Sequence, residues 1–84
     1  MDKKFAVIIT YDLDRSTPIF LFDAIEDAES FLKSEFKKEL EHDQEEMGWP
    51  VTGYLAESKD YAEIVTSYPS VDCTTTFRIG EIYN

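Results

Sequence analysis

The 84-residue chain carries 18 acidic and 8 basic side chains and has a formal net charge of −10 at pH 7. The length leaves room for one small domain over residues 1–84, whose core can be built from six Phe, five Tyr and one Trp. Nucleic-acid backbones are bound through clusters of Lys and Arg that this acidic sequence lacks. We therefore expect no direct nucleic-acid binding.

Cysteine usage and hydropathy bear on the compartment. Cys73 is the single cysteine, so no intramolecular disulfide can form. The N-terminus lacks the apolar run of a signal peptide, and no stretch of about 18 apolar residues is long enough to span a bilayer. These features predict a cytoplasmic protein without a membrane segment.

Two apolar runs open the chain. Residues 4–11, "KFAVIITY", are β-branched and aromatic and place apolar side chains on both faces, which predicts an interior strand. Residues 18–22, "PIFLF", form a second short run, and the polar "DLDRST" between them has the composition of a hairpin loop.

A long helix is predicted next, over residues 24–46. Asp23 and Glu26 resemble a capping box at its start, and "GWP" at 48–50 marks its end. Apolar residues recur at helical spacing and form one stripe: Ile25, Ala28, Leu32, Phe36 and Leu40.

The far end of this helix breaks the apolar pattern. Glu39 and Asp43 continue the stripe, where a covered helix would not place carboxylates. A helix of this length also spans about 34 Å, whereas a seven-residue strand spans only about 24 Å. We therefore expect the helix to outrun its sheet and its last two turns to be solvated or to contact a partner.

Residues after Pro50 alternate in the manner of strands. "VTGYLAES" is predicted as a weak strand, "YAEIVTSY" as a stronger one and "CTTTFRIGEIY" as the last, with Gly80 as a bulge or a point of close approach. The order ββαβββ predicts an α+β fold, in which an antiparallel sheet carries one long amphipathic helix on one face.

The segment Asp12-x-Asp14-x-Ser16 follows an apolar strand and resembles the opening motif of haloacid dehalogenase-type phosphatases. That resemblance implies that Asp12 is a nucleophile, that Asp14 is an acid/base and that Mg²⁺ is bound. "FAVIITYDL" is also similar to the opening of a small CRISPR-adaptation nuclease family, which implies a metal at Asp12 in a dimer. Both resemblances rest on an apolar strand that is followed by an Asp. The phosphatase family implies a parallel sheet and the nuclease family implies a basic surface, and the sequence predicts neither feature.

The same loop is similar to an EF-hand loop that begins at Asp12, with Thr17 in place of the usual glycine and Asp in place of the last glutamate. The oxygen ligands that this similarity implies are Asp12, Asp14, Ser16, Pro18 and Asp23. The competing interpretation is that the Asp and Ser side chains bond their own turn and bind no metal. A divalent-metal-binding or nuclease-like domain built on this loop is thus one alternative function.

The sequence contains no nucleophile–base pair, Gly-rich phosphate loop or zinc-type Cys/His set, so we expect a protein that is not an enzyme and needs no cofactor. Residues 23–46 carry ten acids and three bases, which is −7 of the total charge. Such a surface either keeps a small aromatic-rich domain soluble or binds a basic protein, as in small acidic accessory or inhibitor proteins of phages and mobile elements. The predicted protein-binding residues are Glu39, Glu41, Asp43, Glu45 and Glu46.

A homodimeric structural domain is the other alternative. Trp49, Tyr54 and Tyr83 lie near the ends of predicted elements, where they could form an aromatic patch between two copies.

Overall fold

The computed structural model describes residues 3–12, 17–46 and 48–83. Five strands and one helix follow in the order ββαβββ, which confirms the predicted α+β fold. They are β1 (Lys3–Tyr11), β2 (Ile19–Phe22), α1 (Ile25–Glu46), β3 (Val51–Leu55), β4 (Tyr61–Ser67) and β5 (Asp72–Tyr83).

The strands form one antiparallel sheet in the order β2-β1-β5-β4-β3. β1 lies between β2 and β5, as its two apolar faces predict. The longest pairing joins β1 to β5, in register from Lys3 opposite Tyr83 to Tyr11 opposite Thr75. The first and last strands of the described chain therefore lie side by side within the sheet.

Side chains alternate between a face that α1 covers and a face that it leaves open, which we call the open face. The covered face holds Val7 and Ile9 of β1, Ala62 and Ile64 of β4, and Phe77 of β5, all buried. These residues form the core together with Ala28, Leu32 and Phe36 of α1. The apolar stripe predicted for the helix is thus the surface that binds it to the sheet.

The helix contacts all five strands and so lies obliquely across the sheet. It begins at Ile25, and the Asp23 carboxylate forms an ion pair with Lys4 of β1. The expectation that the helix outruns the sheet is wrong. Its last turns stay on β3, because Gln44 Nε2 donates to the carbonyl oxygen of Val51 and Asp43 is buried.

Two glycines in strands differ in their surroundings. Gly80 pairs in register with Ala6, and a Cβ atom there would lie 3.9 Å from Ile8 Cδ1, so the predicted bulge or close approach is wrong. The close approach occurs at Gly53 of β3 instead. A Cβ atom at Gly53 would lie 2.8 Å from Leu40 Cδ2 and 2.9 Å from Phe36 Cζ of α1.

Candidate interaction surface at the acidic end of the helix

The last two turns of α1 contain five carboxylates, which we call the acidic helix end: Glu39, Glu41, Asp43, Glu45 and Glu46. The last turn holds no basic residue. The nearest bases on the helix precede these turns, and one of them, Lys38, pairs with Glu35 at 3.5 Å. The described part of the chain thus places a strong negative charge at the helix C-terminus.

The structure divides these five residues into two groups. Glu41, Glu45 and Glu46 are exposed, whereas Glu39 is half-buried and Asp43 retains only 7% of its exposure. The expectation that the last two turns are solvated is therefore wrong at Asp43. Of the predicted protein-binding residues, the exposed group is the one that another molecule can reach.

Asp43 is buried because the end of α1 lies on the sheet. Leu40 packs over Gly53, where the missing side chain lets the helix come close to β3. One turn further on, Gln44 Nε2 donates to the carbonyl oxygen of Val51 at 3.4 Å. These contacts hold the helix end down, and the sequence pattern did not indicate them because a glycine in a strand has no hydropathy signal.

The pKa of the half-buried Glu39 depends on its burial and on the neighbouring Asp43. Burial first, and then the negative charge of Asp43, raise the pKa of Glu39 above its ordinary value. Asp43 Oδ1 also lies 3.5 Å from Nδ1 of the exposed His42 ring. Ionisation of Glu39 is therefore disfavoured in the folded protein.

The outer group lies where a helix tolerates negative charge least. The helix dipole places partial negative charge at the C-terminus, and each carboxylate there costs about 0.3 to 1 kcal/mol at low salt. Glu41 and Glu45 are also four residues apart on one face, an arrangement that is unfavourable for like charges. Local helix stability does not explain these residues, which leaves solubility of a small aromatic-rich domain and binding of a partner as the two explanations.

The Asp12 loop lies mostly outside the described residues, since Asp14 and Ser16 are not among them. Asp12 itself is exposed, and its Oδ2 accepts a hydrogen bond from the backbone N–H of Thr74 at 3.3 Å. This bond continues the β1–β5 ladder and joins two strands, so it is not a bond of Asp12 within its own turn. No group of three potential metal ligands occurs within residues 3–12, 17–46 and 48–83.

The sheet does not match what two of the resemblances imply. All of its described strand pairs are antiparallel, unlike the parallel sheet of the phosphatase family. β2 also precedes the helix, whereas the nuclease family runs from its first strand into a helix. Metal binding by the loop remains a prediction that rests on the loop alone.

A groove of about 530 Å³ separates the first half of α1 from the β3–β4 turn. Its charged lining mixes both signs, with Lys33 and Lys59 among three glutamates: Glu26, Glu29 and Glu57. The groove therefore offers no set of groups that converges on one chemistry.

The three aromatic residues expected to form one patch lie apart. Tyr54 pairs with Glu63 and points to the open face, whereas Tyr83 pairs with Lys3 and points to the helix side. Trp49 packs edge-on against Tyr68 with 6.3 Å between ring centroids. An interface built on these three residues as one patch is therefore excluded.

In the described part of the chain, no helix has both the length and the apolar character that a bilayer-spanning segment requires. Comparison of the chain with models of protein families, with curated proteins and with solved structures gave no match.

Proposed function

We propose that this chain is a protein-interaction domain of the accessory or inhibitor type, and that it binds a basic partner protein through Glu41, Glu45 and Glu46. One observation carries the proposal. These three exposed carboxylates lie at a helix C-terminus without a basic residue in the last turn, where they disfavour the helix that presents them. A cationic partner removes that cost when it binds.

The mode of binding follows from the position of the charges. Asp43 and Glu39 are held against the sheet, so they add to the negative electrostatic potential but do not contact the partner directly. The exposed carboxylates are available for bonds with Arg or Lys side chains, which are the strong, charge-assisted kind. The role is that of a non-catalytic, cytoplasmic protein that requires no cofactor and does not bind nucleic acid directly.

The experiment compares two variants of equal net charge. The first replaces Glu41, Glu45 and Glu46 by Gln. The second, the matched control, replaces the exposed acids Asp27, Glu57 and Asp72 by Asn or Gln. Both change the net charge from −10 to −7, so a difference between them reports position and not total charge.

The first probe is a deca-lysine peptide, titrated against each protein by calorimetry, with backbone amide shifts recorded by NMR. We expect the first variant to lose at least about tenfold in affinity, or about 1.4 kcal/mol, and the control to lose much less. Amide shifts of the unaltered protein should centre on residues 39–46. Equal losses in the two variants, or shifts spread evenly over the chain, would show that the helix end is not the site.

The natural partner is sought by capture from host lysate with the same proteins. A basic protein should be retained by the control variant, lost by the first variant and released at high salt, because screening shortens to a few ångströms there. A protein retained equally by both variants would argue against this function.

A further inference from the structure

The sheet has two edges, β2 and β3, and they differ in how they are protected. An edge strand presents unpaired backbone N–H and C=O groups that can accept another strand. Natural proteins usually cover such an edge or place charges on it.

On β2 the outward groups belong to Ile19 and Leu21. Ile9 N donates to the carbonyl oxygen of Pro18 at 3.1 Å, and Val7 lies opposite Phe20 in the same register. Backbone groups alternate in direction along an antiparallel strand, so those of Pro18 and Phe20 face β1. The N–H and C=O groups of Ile19 and Leu21 consequently face away from the sheet.

The same two residues also expose apolar side chains. Ile19 and Leu21 point to the open face and are 58% and 60% exposed. No residue from Thr17 to Phe22 is charged, and the charge that follows, on Asp23, is paired with Lys4. Within the described part of the chain, β2 therefore lacks the charges that usually protect an edge strand.

At the β3 edge, α1 bonds one of the outward backbone groups. The carbonyl oxygen of Pro50 accepts a bond from Ser67 N, so Val51 and Gly53 turn their backbone groups outward. Gln44 of the helix donates to the outward carbonyl of Val51, and Leu40 lies over Gly53. The end of the helix thus engages one outward group of β3, at the edge of the sheet opposite β2.

We propose that β2 is a homodimer interface, in which β2 of a second copy adds antiparallel to the open edge. A twofold axis at Phe20 places Ile19 of one protomer opposite Leu21 of its partner. The outward N–H and C=O groups of both residues then bond across the axis. The result is a continuous ten-stranded sheet built from two five-stranded ones.

A second copy is the occupant because of charge and closure. Most of the net charge of −10 lies on α1 and its N-terminal flank, whereas Thr17–Phe22 is uncharged, so two copies meet at β2 without opposing their acidic helix ends. Pairing of β2 with β2 uses the same edge of both copies, so this twofold contact is complete at two copies and does not continue into a fibre.

The open-face side chains add to the backbone pairing. Ile8 of β1 lies opposite Ile19 on the same face of the sheet and is half-buried. Joining two β2 strands brings Ile19 and Leu21 of both copies together at the centre. The apolar surface of each protomer then becomes half of one larger strip.

The first test is the mass in solution by sedimentation equilibrium. We expect twice the 9.7 kDa of the chain, and the monomer mass for Leu21→Pro, because proline removes an outward N–H and is tolerated at a strand edge. Ile82→Lys changes the open face away from the edge, and Tyr54→Lys changes β3. Both controls should remain dimeric. A wild-type monomer at all concentrations, or dissociation by Ile82→Lys alone, would overturn the proposal.

Amide hydrogen exchange gives a second readout that does not depend on a variant. The amides of Ile19 and Leu21 should be protected in concentrated protein and lose protection on dilution, whereas that of Phe20 should be protected at both concentrations. Uniform behaviour of these amides would contradict strand addition. Dimerisation should also strengthen from about 50 mM to about 500 mM NaCl, since salt screens the repulsion between two acidic chains.

Discussion

Gly53 shows how a single residue sets the distance between the helix and the sheet. Its position in β3 is directly beneath Leu40 and Phe36, and a methyl group there would overlap both side chains. No glycine-specific backbone angle is involved, because no glycine in the described chain has a positive φ. The requirement for glycine is therefore one of space.

The substitution Gly53→Ala should lower the free energy of unfolding by about 1 to 3 kcal/mol, the usual cost of overfilling a packed contact. Denaturant unfolding measures the change. Gly80→Ala is the matched control, because its new Cβ meets only Ile8 at an ordinary 3.9 Å and should change stability by less than about 1 kcal/mol. Equal losses at both positions would show that packing against the helix is not the cause.

Glu39 is a second single residue with a distinct effect, because it makes the free energy of unfolding depend on pH. Its pKa is raised in the folded protein, so ionisation disfavours the folded state. As the pH falls, the Glu39 carboxylate is therefore protonated at a higher pH in the folded state than in the unfolded state. At neutral pH the carboxylate is ionised, and the free-energy cost of that ionisation to the folded state is present. The cost declines as the pH falls through the raised pKa and is absent below the ordinary value near 4.5.

Glu39→Gln should consequently stabilise the protein at pH 7 by less than about 1 kcal/mol, a limit set by the partial exposure of the carboxylate. The gain should shrink on acidification and vanish below pH 4.5. Thermal unfolding as a function of pH measures both effects, with the exposed Glu57→Gln as the control for the loss of one negative charge. A gain that persists unchanged at low pH would exclude ionisation as its origin.

At the scale of the element, the two ends of α1 carry acids with opposite consequences. Glu26 and Asp27 lie in the first turn, where the helix dipole favours negative charge. Glu45 and Glu46 lie at the other end, where it disfavours it. The same chemical change should therefore alter stability in opposite directions at the two ends.

Glu45→Gln with Glu46→Gln should raise the free energy of unfolding by about 0.5 to 2 kcal/mol at low salt, and Glu26→Gln with Asp27→Asn should lower it by a similar amount. Chemical unfolding at low ionic strength gives the comparison. If the first pair also loses affinity for deca-lysine, its carboxylates act in binding at the expense of stability. A loss of stability at both ends would contradict the electrostatic account.

Periodicity in the sequence predicted burial correctly where burial depends on one side of a single helix or strand. The stripe from Ile25 to Leu40 predicted the helix and its buried face, and alternation predicted the strands, because both patterns reflect burial of one side of an element. The burial of Asp43 was missed, since it depends on Gly53 and Val51, which are distant in sequence. Polar residues at an element's end carry no pattern that distinguishes solvent from a neighbouring strand.

At the scale of the whole molecule, the strand order was not predictable from the sequence. Alternation of apolar residues in β1 and β5 predicts the buried face of each strand but not which strand pairs with it. The pairing of β1 with β5 joins residues as distant in sequence as Lys3 and Tyr83. The protected and open edges follow only once that order is known. The exposed carboxylates of the helix end were the part of the candidate site that composition could reveal.

The two proposed interfaces are the acidic helix end and the uncharged β2 strand. Binding at these two surfaces should respond oppositely to salt. Binding of a basic protein at Glu41, Glu45 and Glu46 should weaken as salt rises, because attraction is screened. Pairing of two uncharged β2 strands should strengthen, because repulsion is screened. A salt series therefore separates the two activities in one preparation.

The pairing of β1 with β5 also governs when the protein can fold during its synthesis. The ribosome releases the apolar β1 first, yet the strand that completes its hydrogen bonding, β5, extends to residue 83. Until those last residues emerge, β1 can pair only with the four-residue β2, and the newly made core lacks Phe77. Folding of the domain is thus delayed until residues 72–83 have been synthesised, and a nascent chain stalled before residue 72 leaves β1 available to chaperones.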